Sequence, residues 1–264
     1  MLLRLGSVRG LDLDLFDFDY DLTWAALFLT ADGRVLGRYG SRTAATGAKE
    51  NNRAGLRHAL DLAEEQFRNL PRAMPPRKIG PKTEDYPAAR KLAPNACLHC
   101  HHVNEFRREA DQAAEIWRKD QAWVYPEPEN LGLTMRRERG DEISLVRPGS
   151  VAEGAGLRAG DRLLRVGKTP IASIADLRFA LDQAPKIGTV EMVWSRDSGE
   201  RKANLPLRSG WRETDLSWRW SLKSLMPEPP VDGDDLDLEE RRRLGLSEST
   251  EHCLIIGRLR DQGA

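Results

Sequence analysis

The chain is short of cysteine: three among 264 residues, too few for a disulfide framework. It has no long apolar run either. The longest, WAALFL at residues 24–29, falls well below the roughly 20 residues that a membrane-spanning helix needs, so no transmembrane segment is expected. The first ten residues, MLLRLGSVRG, lack the continuous apolar core of a secretory signal. Net charge is also missing. Lys and Arg number 41 and Asp and Glu 41, so the basic surplus of a nucleic-acid binder is absent and no nucleic-acid partner is expected. No Gly-x-Ser-x-Gly occurs, which excludes the nucleophile elbow of a serine hydrolase. What remains is a charged chain (31 %) long enough for one large or two ordinary domains, each with its own core.

Against that scarcity, two of the three cysteines fall together, in Cys97-Leu98-His99-Cys100-His101, continued by His102. Two cysteines spaced by two residues and followed at once by histidine form the attachment signature of c-type haem. Cys97 and Cys100 would carry the thioether bonds and His101 would be the proximal iron ligand. Two other readings stay open. Zinc suits Cys97, Cys100 and either His101 or His102, and the two thiols alone suit a redox pair. Cys253, the odd cysteine, is expected to be a small buried hydrophobe.

Residues 1–70 include LDLDLFDFDYD (11–21), whose period-two alternation predicts strand or extended chain that lies near an edge or ends early. TWAALFLT (23–30) predicts a fully buried strand, Asp32-Gly33 a hairpin turn, and residues 35–39 the return strand. A helix is expected over 52–70, with Leu56, Leu60, Ala63, Phe67 and Leu70 as its apolar stripe and His58 on the surface. Residues 71–129 begin with Pro71, Pro75, Pro76, Pro81, Pro87 and Pro94. That density predicts extended, turn-rich chain, either a linker or a wrap around a cofactor with Met74 or His58 within reach of an iron. A helix should follow from His102 to about residue 120, with Phe106, Ala110, Ala113, Ala114 and Trp117 on one face.

Residues 130–208 carry the most specific pattern. Asn130-Leu131-Gly132-Leu133 precedes a polar strand at 134–139; then come PGSVA (148–152), AGLRAGDRLL (155–164), a helix over 173–182 capped by Ser173, and strands at 190–195 and 203–207. This order resembles a PDZ domain of the bacterial protease-associated type. The resemblance implies a PDZ-like β-barrel that binds the C-terminal end of a protein or peptide as an added strand, with the carboxylate in a nest of backbone N–H groups. Those donors would sit on Leu131, Gly132 and Leu133, and the edge strand would start at Thr134. Leu131, Leu133 and Leu177 would shape the pocket for the last side chain. The 1–70 segment, strand, Asp-Gly turn, strand and helix, is similar to the C-terminal half of a thioredoxin fold. It lacks that fold's upstream Cys-x-x-Cys and the proline that would precede Trp24.

Residues 209–264 show alternation at Leu216, Trp218 and Trp220, a charged stretch with one short helix, and a closing strand Cys253-Leu254-Ile255-Ile256. This reads as an incomplete second PDZ-like unit. With FDYDLTWAALFLTADGRVLGRYGS, ACLHCHHV, the PDZ core and GWRETDLSWRWSL, nearly the whole chain resembles a bacterial family of thioredoxin-like plus PDZ domain proteins. The expected fold class is α+β: a partial thioredoxin-like domain (1–70), a Pro-rich linker with a CxxCH helical segment (71–129), a PDZ domain (130–208) and a C-terminal extension (209–264). The missing upstream half leads us to expect a fragment or a shortened gene product. Two functions are expected from different classes. One is a peptide-binding module joined to a haem or metal segment. The other is an electron-transfer or thiol-exchange protein working through Cys97 and Cys100. Protease or thioredoxin activity is not expected, since neither a protease triad nor an active-site Cys-x-x-Cys in the thioredoxin-like half is present. Haem c attachment would imply a periplasmic or other extracytoplasmic location; otherwise the chain is expected in the cytoplasm.

Overall fold

The structure is a computed structural model and describes residues 1–49, 51–70, 78–93, 96–225, 231–247 and 254–259. The expectations for Pro71, Met74, Pro75, Pro76, Pro94 and Cys253 lie outside these residues. The chain divides into two compact units, residues 1–223 and 224–264.

In the first unit, β1 (Ala26–Leu29) and β2 (Val35–Tyr39) form an antiparallel hairpin, turned at Gly33 with φ +81°. Strand β1 is half-buried to exposed, not the fully buried strand that its composition predicts, and the end of β2 is buried. Helix α1 (Arg53–Arg68) starts where Asn52 Oδ1 accepts the Gly55 N–H at 2.7 Å, an N-cap that satisfies one orphan donor. Its buried face is Gly55, Ala59 and Ala63, while Leu60 and Phe67 are exposed. The reason is close approach: a β-carbon at Gly55 would overlap the Arg137 carbonyl oxygen and the Tyr39 hydroxyl. Only small residues fit between α1 and these neighbours.

Residues 11–21 form turns, not a strand. Their aspartates capture backbone donors locally: Asp12 Oδ1 accepts from Asp14 and Leu15, and Asp19 Oδ1 from Asp21. Such side-chain to backbone bonds compete with ladder pairing. Asp19 and Asp21 are buried because Arg219 is buried with them, at 2.7 and 3.1 Å.

The short helix α2 (Pro87–Arg90) and the longer α3 (His101–Ala113) join this loop. Val8, Leu13, Tyr20, Ala88, Ala89, Leu98, Val103 and Phe106 make one apolar cluster. The described part of the proline-rich stretch, through Ala88 and Ala89, therefore packs on the first twenty residues. Helix α3 ends at Ala113, and Trp117 lies beyond it.

The remaining elements of this unit build one antiparallel sheet. They are β3 (Leu133–Arg136), β4 (Arg139–Val146), α4 (Val151–Gly154), β5 (Arg162–Val166), β6 (Thr169–Pro170), α5 (Ile174–Asp182), β7 (Gly188–Arg196) and β8 (Gly199–Leu207). The strand order is β3-β4-β5-β7-β8, with β6 beside β5. The sheet is open at both ends of that order, where a β-barrel was expected. Helix α5 is capped by Ser173, whose Oγ accepts the Asp176 N–H at 3.1 Å, and it lays Leu177, Ala180 and Leu181 into the main core. In the second unit, β9 (Val231–Asp235) pairs antiparallel with β10 (Leu254–Leu259), and α6 (Leu238–Arg243) lies between them in sequence.

Candidate functional site

Strand β3 is an edge of the sheet. Its residues alternate: Leu133 and Met135 point into the core, and Thr134 and Arg136 point out. The Gly132 carbonyl accepts from the Arg147 N–H at 2.8 Å and the Thr134 carbonyl from Ser144 Oγ at 2.9 Å, so these residues face β4. Strand alternation then turns the backbone groups of Leu133 and Met135 toward the outer edge. Among the described residues no strand pairs with that edge. An extended chain can add there.

The loop before β3 is a 3₁₀ turn, Pro128–Leu131, ended by Gly132 in the left-handed region at φ +88°. The Gly132 N–H donates to the Glu129 carbonyl at 3.0 Å. An incoming carboxylate must compete with that bond. Next to it, Asn130 Nδ2 is a buried donor with no partner among the described residues. Leu131, Leu133 and Leu177 meet in one apolar cluster and are 0–2 % exposed. The three expected pocket residues are thus brought together, in a closed arrangement. A β-carbon at 132 would overlap the Ser150 side chain. Gly132→Ala combines that overlap with an unfavourable φ, and should lower unfolding free energy by about 2–3 kcal/mol in urea titrations.

Helix α5 is covered on its outer side. Arg178, 5 % exposed at its side chain, donates to the Tyr125 carbonyl at 3.2 Å and to the Arg42 carbonyl at 2.6 Å. Ile174 lines a small cleft with Tyr39, Ser41, Asn51, Arg137 and Gly140. The far end of β3 meets the start of α1, where Gly55 lies against Arg137. His58, expected on the surface, is half-buried with Nε2 2.6 Å from Asp141 Oδ1, and Arg162 holds the other oxygen at 2.8 Å.

At the second candidate site, His101 opens α3 and Cys100 is its N-cap. Leu98 is fully buried and ties the motif down, its carbonyl accepting the Val8 N–H at 3.0 Å. The two thiols sit in different surroundings. Cys97 is exposed, whereas Cys100 packs on the apolar cluster and burial raises its pKa, favouring the thiol over the thiolate. His101 Nδ1 lies 2.8 Å from Glu105 Oε1, one helical turn on. His102 Nδ1 accepts the His99 N–H at 3.0 Å, and its ring stacks on Phe106. Burial, then the neighbouring His101, holds His102 below the ordinary histidine range. Ligand atoms of His101, His102 and Glu105 all lie within 4.8 Å of one another. Among the described residues, neither Cys97 nor Cys100 joins that group. Glu105 was not expected, although its i+4 spacing from His101 was a usable signal.

A family model of the PDZ domain matches residues 142–194, from β4 to β7. The chain contains a PDZ domain, and PDZ domains are protein-interaction modules. A search of curated proteins found no match.

Proposed function

We propose that the chain works as an interaction module that takes the C-terminal end of a partner protein as an added strand on β3. The observation that carries this is the outer edge of β3, unpaired among the described residues, set behind a left-handed Gly132 loop. Main-chain pairing supplies affinity in such additions, and the carboxylate sets the register. The peptide would run antiparallel to β3, its carboxylate at residues 131–133, with Asn130 Nδ2 as an additional donor that lacks a partner among the described residues. Buried donors left unpaired cost about 1–3 kcal/mol, so a ligand that satisfies one gains from it. Leu131, Leu133 and Leu177 would receive an apolar last side chain after the loop opens. Because β3 spans four residues before α1 intervenes, a short peptide should make nearly all the contacts.

The test is calorimetric titration of one apolar-ended peptide as free acid and as C-terminal amide. Amidation removes the charge that the loop would read, and hydrogen bonds to charged groups are worth about 1.5–3 kcal/mol. Affinity should fall at least about tenfold on amidation. Equal affinities for the two forms would reject carboxylate recognition.

A further inference from the structure

We infer that the start of α3 is a binding site for a divalent transition metal of the zinc class, held by His101, His102 and Glu105 and not by the thiols. The juxtaposition is specific. Three of the chain's five histidines gather here, with ring centroids 5.9 Å (His99–His101), 5.6 Å (His99–His102) and 4.4 Å (His101–His102) apart. Protonated imidazoles this close would repel. A divalent cation that shares their lone pairs removes that conflict. Glu105 adds a carboxylate on the same helix. An imidazole–carboxylate donor set suits zinc-like ions better than calcium or magnesium, which take oxygen ligands.

The geometry needs only local adjustment. Zinc ligands lie about 2.0–2.2 Å from the ion, hence roughly 3.4 Å from one another in a tetrahedron. The present separations are within 4.8 Å, and small side-chain rotations close the difference. The His102 ring must release the His99 N–H or turn to present its other nitrogen, so binding replaces one existing hydrogen bond. The frame beneath stays fixed, because Leu98 and Val103 are fully buried and Phe106 nearly so. His101 and Glu105 remain 31 % and 27 % exposed at their side chains, which leaves the fourth position open to water. The exposed Cys97 and the packed Cys100 stand outside the group.

The test uses the full chain, freed of metal by chelator and titrated with ZnCl₂ and CoCl₂. One ion per chain is expected, with a cobalt spectrum that shows d–d bands and no thiolate charge-transfer band. His101→Ala and Glu105→Gln should each weaken binding at least tenfold, while the double variant Cys97→Ser, Cys100→Ser binds as the parent does. Circular dichroism checks that each variant is folded. Absence of binding by the folded parent overturns the proposal. So does a thiolate band, or loss of binding in the double cysteine variant. Covalent haem on the chain, recovered from a host that attaches haem c, overturns it as well.

Discussion

Replacing Arg219 with methionine is expected to lower the unfolding free energy by about 3–5 kcal/mol, the usual result of stranding buried charge. The guanidinium is 1 % exposed and bridges Asp19 and Asp21, which are 5 % and 0 % exposed at their side chains. One nitrogen donates to Asp19 Oδ1 at 2.7 Å and to Asp21 Oδ2 at 3.1 Å. The other donates to Asp19 Oδ2 at 3.0 Å and to the Val124 carbonyl at 2.8 Å. Asp21 also accepts the Ser221 N–H at 2.8 Å and its hydroxyl at 2.9 Å. Methionine keeps most of the apolar stem and removes every one of the guanidinium bonds, leaving two carboxylates together without water. Urea titration at neutral pH should show a lower midpoint with an unchanged slope. Adding Asp19→Asn and Asp21→Asn to the methionine variant removes the stranded charge and should recover a large part of the loss. A drop below about 1 kcal/mol in the single variant would show that water reaches the site.

The second large effect concerns Asp176, fully buried at the first turn of α5. Burial raises its pKa to about 7, against the opposing pull of Arg38, whose guanidinium lies 3.8 Å away, and of the Ala172 and Arg38 N–H groups and Ser173. The folded chain therefore holds this proton more tightly than the unfolded chain does. Stability from this group is fully present below about pH 4 and declines as pH rises toward 7. The sign is opposite to that of a salt-bridged carboxylate. Asp176→Asn is neutral at every pH, so the stability difference between parent and variant should move by something on the order of 4 kcal/mol between pH 4 and pH 8, against the parent as pH rises. Parallel urea titrations across that range read it directly. A difference that stays constant with pH would mean that the carboxyl ionises in the folded state as it does in water.

The PDZ segment was legible because its signals are local. Turn glycines such as Gly156 and Gly160 take positive φ, Ser173 caps a helix of the expected span, and β7 and β8 extend the two closing strands as predicted. The first seventy residues were harder to read. Alternation of Leu or Phe with Asp describes a strand equally well as a loop whose carboxylates are matched by an arginine far along the chain, and only the fold distinguishes them. On α1 the larger apolar residues drew the stripe, yet the buried face belongs to Gly55, Ala59 and Ala63, and at Gly55 neighbouring chain approaches too closely for any side chain. At the CxxCH segment the motif directed attention to the thiols. What the backbone brings together is the imidazoles and Glu105, a grouping set by helix geometry and by how Leu98 is anchored.

The span of the Arg219 knot also bears on how the molecule is born. Its partners lie 200 and 198 residues apart along the chain. A ribosome adds about 5–20 residues per second, so the N-terminal aspartates wait roughly 10–40 s for their arginine to be synthesised. Through that interval Asp19 and Asp21 lack their counter-charge, whereas the PDZ hairpins need only nearby sequence and can close as they emerge. The two aspartates are then among the last groups to find their partner, although Val8, Leu13 and Tyr20 beside them already have Ala88, Leu98, Val103 and Phe106 to pack on.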